Sequence, residues 1–247
     1  MSYRSLHLLV FLLFGSYAYI FNFNRALRYN KSFLKHQIRQ EIKESIFAMF
    51  AMDIFHVPIV MLQINGHSLL YNSTVIGPGL WYEFLQYPLA ILLIDAGNYW
   101  LHRAFHSPLL YSLAHKSHHR FVISTPFAAF AFHPLEACIM SLPNLFISFV
   151  VPLCNKTYIL LLLYGNLETI MARKLSSTLP ILGLSTNIRP DDSTGSFHTI
   201  HHINAKSNFG QLTTFWDHLM GTYMDPNLYL RKHGMFKNRK ETASKMQ

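Results

Sequence analysis

The run LWYEFLQYPLAILLIDAGNYWLHRAFHSPLLYSLAHKSHHR, residues 80–120, decides how this chain is read. Residues 80–101 are long and apolar enough for a helix to cross a bilayer. The same helix then runs straight into HRAFH, with His102 and His106. Ser107 and Pro108 follow in the N-cap and first-turn positions of a new helix. That helix presents HKSHH, with His115, His118 and His119. Further on comes HTIHH, with His198, His201 and His202. Within each cluster the spacing is i, i+3 or i+4, which on a helix is one face. Two imidazoles so placed can hold one metal ion. Eight of the chain's fifteen histidines lie in these three windows. The scattered His7, His36, His56, His67 and His233 are read as structural.

Four more apolar segments flank this run. Residues 5–23 form the first; a cleaved signal is the alternative, but no small-residue cleavage site follows and the next residues are basic. Residues 45–64 form the second. Residues 137–153 and 157–172 form a hairpin broken at Leu153–Lys156. The expected fold is therefore an all-α integral membrane protein, one domain over 1–247, with four or five hydrophobic helices. N-terminal spans occupy about 5–64, a catalytic region about 80–226, and a polar basic tail about 232–247. Composition agrees: 51% hydrophobic, 13% charged, mean hydropathy +0.18. The usual charged share of soluble domains is about 25%. The net charge of +9 belongs to membrane-flanking loops rather than to a nucleic-acid arm.

Nineteen of the twenty-one Lys and Arg fall in 24–44, 102–120 and 172–247, which alternate crossings place on one side. The positive-inside rule makes that side cytosolic. It carries all three histidine clusters, so the sequence predicts a cytosolic, histidine-rich dimetal cap. Asn72 and Asn155 begin glycosylation sequons on the opposite side. Cys138 and Cys154, the two cysteines, make neither a disulfide framework nor a zinc site. All-imidazole ligation suits Zn, Fe or Cu. Two irons are favoured because redox-active ions beside a bilayer activate O2, supplying an oxidant that no side chain provides.

Clusters H-x3-H, H-x2-H-H and H-x2-H-H, in this order around a membrane hairpin, resemble the fatty acid hydroxylase/sterol desaturase superfamily. TPFAAFAFHP (125–134) and NFGQLTTFWDHLMGTY (208–223) are similar to its sterol C-5 desaturase branch. The resemblance covers about 80–226. It implies a multi-pass enzyme of the endoplasmic reticulum membrane, with a di-iron centre held by the eight clustered histidines (zinc as isolated is an alternative). It implies O2 as oxidant, electrons from NAD(P)H through cytochrome b5 and its reductase, and a C-5 double bond placed in a sterol. Two positions depart from that pattern: Phe130 and Arg173 stand where the branch carries further histidines.

Supporting residues are candidates with alternatives. Asp95, inside the 80–101 segment, either orients a histidine or bonds a neighbouring helix. His133 is a ligand or a partner of one, against a structural role. Asp217 is an anchor behind the ligands, or a helix cap or surface ion pair. Phe127, Phe130 and Phe132 are candidates to line a slot for a flat sterol. Arg103, Lys116 and Arg120 would dock an acidic electron donor. Rival functions are a C-4 methyl oxidase or lipid hydroxylase, a non-catalytic relative, and a zinc transporter with ligands at mid-membrane.

Overall fold

The computed structural model describes residues 3–21, 23, 25–29, 31–72, 77–171, 196–225 and 228–229. Each apolar segment lies in helix. Helix α1 spans Tyr3–Phe21, α2 Gln37–Ile64 and α3 Leu80–Phe105. Short α4 (Pro108–Leu110), a π turn (Tyr111–His115) and α5 (Lys116–His119) carry the second cluster. The fourth segment is split into α6 (Pro134–Met140) and α7 (Leu142–Val150), and α8 runs Asn155–Met171. Helix α9 (Ser196–Asn204) carries the third cluster, and α10 spans Phe215–Leu219.

One expectation changes here: the fold is not wholly α. Leu70–Tyr71 (β1) pairs in parallel with Leu153–Cys154 (β2), tying the 65–79 loop to the hairpin break. The Asn72 and Asn155 side chains, one from each sequon, bond to each other beside this pair. By length and composition together, α2 is the described helix that most plainly suits a membrane crossing. Residues 7–21 and 134–150 are apolar but shorter.

Packing explains how the helices meet. A cluster of Phe11, Ala48, Met49, Met52, Phe127, Phe130 and Ala137 joins α1, α2 and α6 through the 121–133 loop. Thr125 caps a 3-10 turn there, and Ser45 donates to the Phe127 carbonyl at 2.7 Å. Glu41, fully buried, accepts from the Thr125 amide at 3.0 Å and from Gln37 Nε2 at 2.7 Å. On the other side α3 lies against α7. A Cβ on Gly97 would sit 2.8 Å from Pro143 Cγ, so only a glycine permits this approach. Gln63 of α2 reaches Ser148 Oγ and Tyr158 Oη, each at 2.9 Å. Unpaired amides are costly in an apolar bundle, so these long-range bonds fix its register.

Much of the helix surface is apolar and outward-facing, including Phe47, Ile54, Val57, Met61, Phe84, Leu85, Ile159 and Leu163. Large exposed apolar surface marks contact with a membrane or a partner.

Candidate metal centre

The last turn of α3 holds His102 with His106 at its C-cap, and the π turn places His115 above them. A π turn inserts one residue into the helical register, a device frequent at functional sites. Here it re-aims the following His118 and His119. Helix α9 closes from the far side with His201 and His202.

Ring nitrogens from His102, His106, His115, His119 and His201 all lie within 4.8 Å of one another. His106 Nε2 is 3.1 Å from His201 Nε2 and 2.9 Å from His115 Nε2. His119 Nε2 is 3.0 Å from His115 Nε2. A second group adjoins the first: His118 Nε2 lies 3.1 Å from His202 Nε2, and the His202 ring stacks on His119 at 4.5 Å. Seven of the eight clustered histidines thus meet, from stretches some 80 residues apart. The His198 side chain lies outside the described residues, as does Arg173.

The hydrogen-bond pattern fixes what these rings offer. His102 Nδ1 is 2.8 Å from the Phe209 carbonyl, and His201 Nδ1 is 2.8 Å from the Ser207 carbonyl. Carbonyls only accept, so each Nδ1 carries the hydrogen and each Nε2 the lone pair. His115 Nδ1 faces Glu136 Oε1 at 2.6 Å. With that nitrogen as donor, its Nε2 lone pair also points inward. The single hydrogen of a neutral His106 can bridge only one of its two close contacts. The other N···N contact, about 3 Å long, is then left without a hydrogen between its nitrogens. A cation suits such a cluster, and an all-imidazole set is a donor set that iron or zinc accepts. Burial above all drives the His106 imidazole down to about 3 and that of His119 to about 4, and lowers His115 as well. The rings are neutral and ready to ligate at physiological pH.

The supporting residues fall into several roles. Among the described residues Asp95 bonds to no histidine: its oxygens accept from the Leu212 amide at 3.2 Å and from Thr213 Oγ1 at 2.5 Å, pinning the loop before α10. His133 is exposed and caps α6, its Nδ1 accepting from the Leu135 amide at 3.3 Å. Asp217 is fully buried and takes the Phe209 amide at 2.9 Å, the Gly210 amide at 2.7 Å and Thr222 Oγ1 at 2.7 Å. It grips the peptide segment whose carbonyl holds His102, so it acts one link further out than a direct partner. Phe127 and Phe130 are packed into the α1–α2 core rather than lining a slot, and Phe132 lies 4.6 Å from the His118 ring. Arg103 donates to Tyr99 Oη at 3.1 Å and Arg120 pairs with Glu44, yet both stay exposed, as does Lys116. Glu136, which sequence reasoning passed over, is the carboxylate that touches the cluster. Its one sequence signal is an acid in the first turn of an otherwise apolar helix.

Residues 87–222 match the fatty acid hydroxylase family model.

The chain belongs to the fatty acid hydroxylase family. A curated protein of Neurospora crassa, named a probable Delta(7)-sterol 5(6)-desaturase, is 37% identical over 220 residues, 89% of this chain and 62% of that one. The Delta(7)-sterol 5(6)-desaturase of Leptosphaeria maculans is 36% identical over 218 residues, 88% and 59% of the two chains. That of Candida glabrata is 33% identical over 248 residues, 97% and 66%. The chain thus spans about three fifths of the length of the first two relatives. No solved structure matches it. The family match begins inside α3 and ends at Thr222, so it encloses every histidine of the fatty acid hydroxylase clusters and both carboxylates, Glu136 and Asp217.

Proposed function

We propose that this protein is a membrane-bound, metal-dependent oxidase that introduces the C-5 double bond into a Δ7 sterol. The observation that carries the reading is the convergence of seven imidazole rings from three clusters, three of which (His102, His115 and His201) have Nδ1 already committed to an acceptor. The relatives' names supply the substrate class. The apolar belt supports a bilayer setting, with the five apolar segments embedded, the clusters on the cytosolic side and the endoplasmic reticulum as the membrane.

The eight clustered histidines, His198 included, are the proposed ligands. A pair of irons bound to them supplies the oxidising power to take hydrogen from unactivated C–H bonds. Overall, the sterol gives up the hydrogens on C-5 and C-6. NAD(P)H, acting through cytochrome b5 and its reductase, supplies two electrons, two protons join, and O2 leaves as two waters. The protein's own work is positioning. Carbonyls of Phe209 and Ser207 hold two rings with their lone pairs inward. Phe209, 5.1 Å from His106, and Phe132 beside His118 place apolar surface against the rings and keep bulk water off them.

Expression in a fungal strain lacking its own C-5 desaturase tests the proposal. The expected outcome is return of sterols with the ultraviolet absorbance of a conjugated 5,7-diene. Persistent Δ7 sterols, or a changed 4-methyl sterol pool in their place, would contradict it.

A further inference from the structure

Glu136 stands behind His115 in a place that no ligand pattern predicts. Its Oε1 lies 2.6 Å from His115 Nδ1, and each side chain is 1% exposed. No other described carboxylate lies within hydrogen-bond reach of the clustered rings. The remaining surroundings of His115 are aromatic. Phe105 stacks on one face at 5.8 Å, and the Tyr111 ring stands edge-on at 6.0 Å. These contacts set the plane of the ring but not which nitrogen bears the hydrogen. His102 and His201 have backbone carbonyls for that purpose. His115 has only Glu136. Its Nε2 sits between those of His106 and His119, at 2.9 and 3.0 Å, so its tautomer decides whether the cluster has a lone pair or a hydrogen at its middle.

The second carboxylate oxygen, Oε2, is buried and has no hydrogen-bond partner among the described residues. A carboxylate kept dry with one oxygen unsatisfied is costly by itself. Such a cost is offset where a cation sits one ring away, joined through an imidazole whose basicity the carboxylate raises.

We propose that Glu136 is the positioning residue of the centre: it holds His115 as the Nδ1–H tautomer and so presents the Nε2 lone pair to the metal. This rests on the metal-binding reading above. The role belongs to the chain's own geometry and does not depend on which sterol or lipid is oxidised.

Chelator competition on the detergent-purified full chain, reading iron or zinc affinity, tests the proposal without turnover. Glu136→Leu, which removes the acceptor, is expected to weaken affinity about 10–100-fold. Glu136→Gln keeps a carbonyl at the same reach and should stay much closer to the parent. In a His115→Ala background, Glu136→Leu should cost nothing further. A merely structural role would weaken binding equally in both backgrounds. Parent-like affinity in Glu136→Leu, or an undiminished loss beside His115→Ala, overturns the inference while leaving the metal centre standing. A parent protein that takes up no metal overturns both. Metal uptake with no sterol product overturns only the substrate reading and supports this one if the variants behave as stated.

Discussion

Asp217 has no exposed surface, and three donors meet its two oxygens. Asp217→Asn would turn an NH2 toward a backbone N–H, so a donor would face a donor. Losing buried bonds of this kind costs about 1–3 kcal/mol. Denaturant unfolding in detergent should show that loss, together with weaker metal binding through His102. Unchanged stability would mean the loop is held by other contacts. Gly210 belongs to the same knot, because a Cβ there would lie 2.7 Å from Asp217 Oδ2. The buried imidazoles give a pH prediction for metal-stripped protein. Burial takes His106 from 6.5 to about 3 and His119 from 6.5 to about 4. Between those limits the unfolded chain binds more protons than the folded one. Stability is therefore full above pH 6.5 and falls as pH drops from 6.5 toward 4. An unfolding midpoint that stays flat across that window would contradict the assignment. At this scale the sequence was readable where spacing carries the message, as in the three clusters. It was silent on Glu136 and on what Asp95 grips. Their partners lie 21 and 117 or more residues away, and no local pattern encodes such distances.

Helix register matters as much as residue identity. The π turn at Tyr111–His115 holds one residue more than an α turn, and Leu113 within it is exposed. Deleting Leu113 would return the segment to α geometry and swing the histidines on either side of the deletion about 100° apart. Metal binding should be lost while circular dichroism keeps its helical signal; retained binding would show that the π turn is dispensable. At the α3–α7 contact, Gly97→Val would push a side chain into Pro143. Overpacking of this kind costs about 1–3 kcal/mol, readable as an earlier thermal unfolding. A midpoint equal to the parent's would show that the helices part easily there. The apolar runs foretold α1, α2, α3, α6–α7 and α8 because hydrophobic patterning is a local signal. The π turn and the two-residue β1–β2 pair escaped notice. One extra residue leaves no periodic trace, and two residues are too few to show alternation.

The whole chain is arranged so that distant sequence meets in one place. Helix α3 delivers the first cluster, the short π and α turns the second, and α9 the third. If the five apolar segments cross the bilayer as proposed, the two ends of α3 lie on opposite sides. In a chain whose Cys138 and Cys154 are changed to Ser, Lys116→Cys should react with an impermeant thiol reagent added outside sealed endoplasmic reticulum vesicles. His67→Cys should react only once the vesicles are opened; the reverse pattern would invert the topology. The basic loops are the sequence feature that argues for this proposed arrangement, since charge bias is a local property of the chain. The packing of Phe127 and Phe130 into the core was not legible, because an aromatic run reads alike as core or as ligand wall. Everything else depends on the histidine assembly. The most direct test is the metal content of the detergent-purified protein, with and without His118→Ala. The account predicts about two metal ions per parent chain and a clear deficit in the variant, whereas a metal-free parent or an unchanged variant would contradict it.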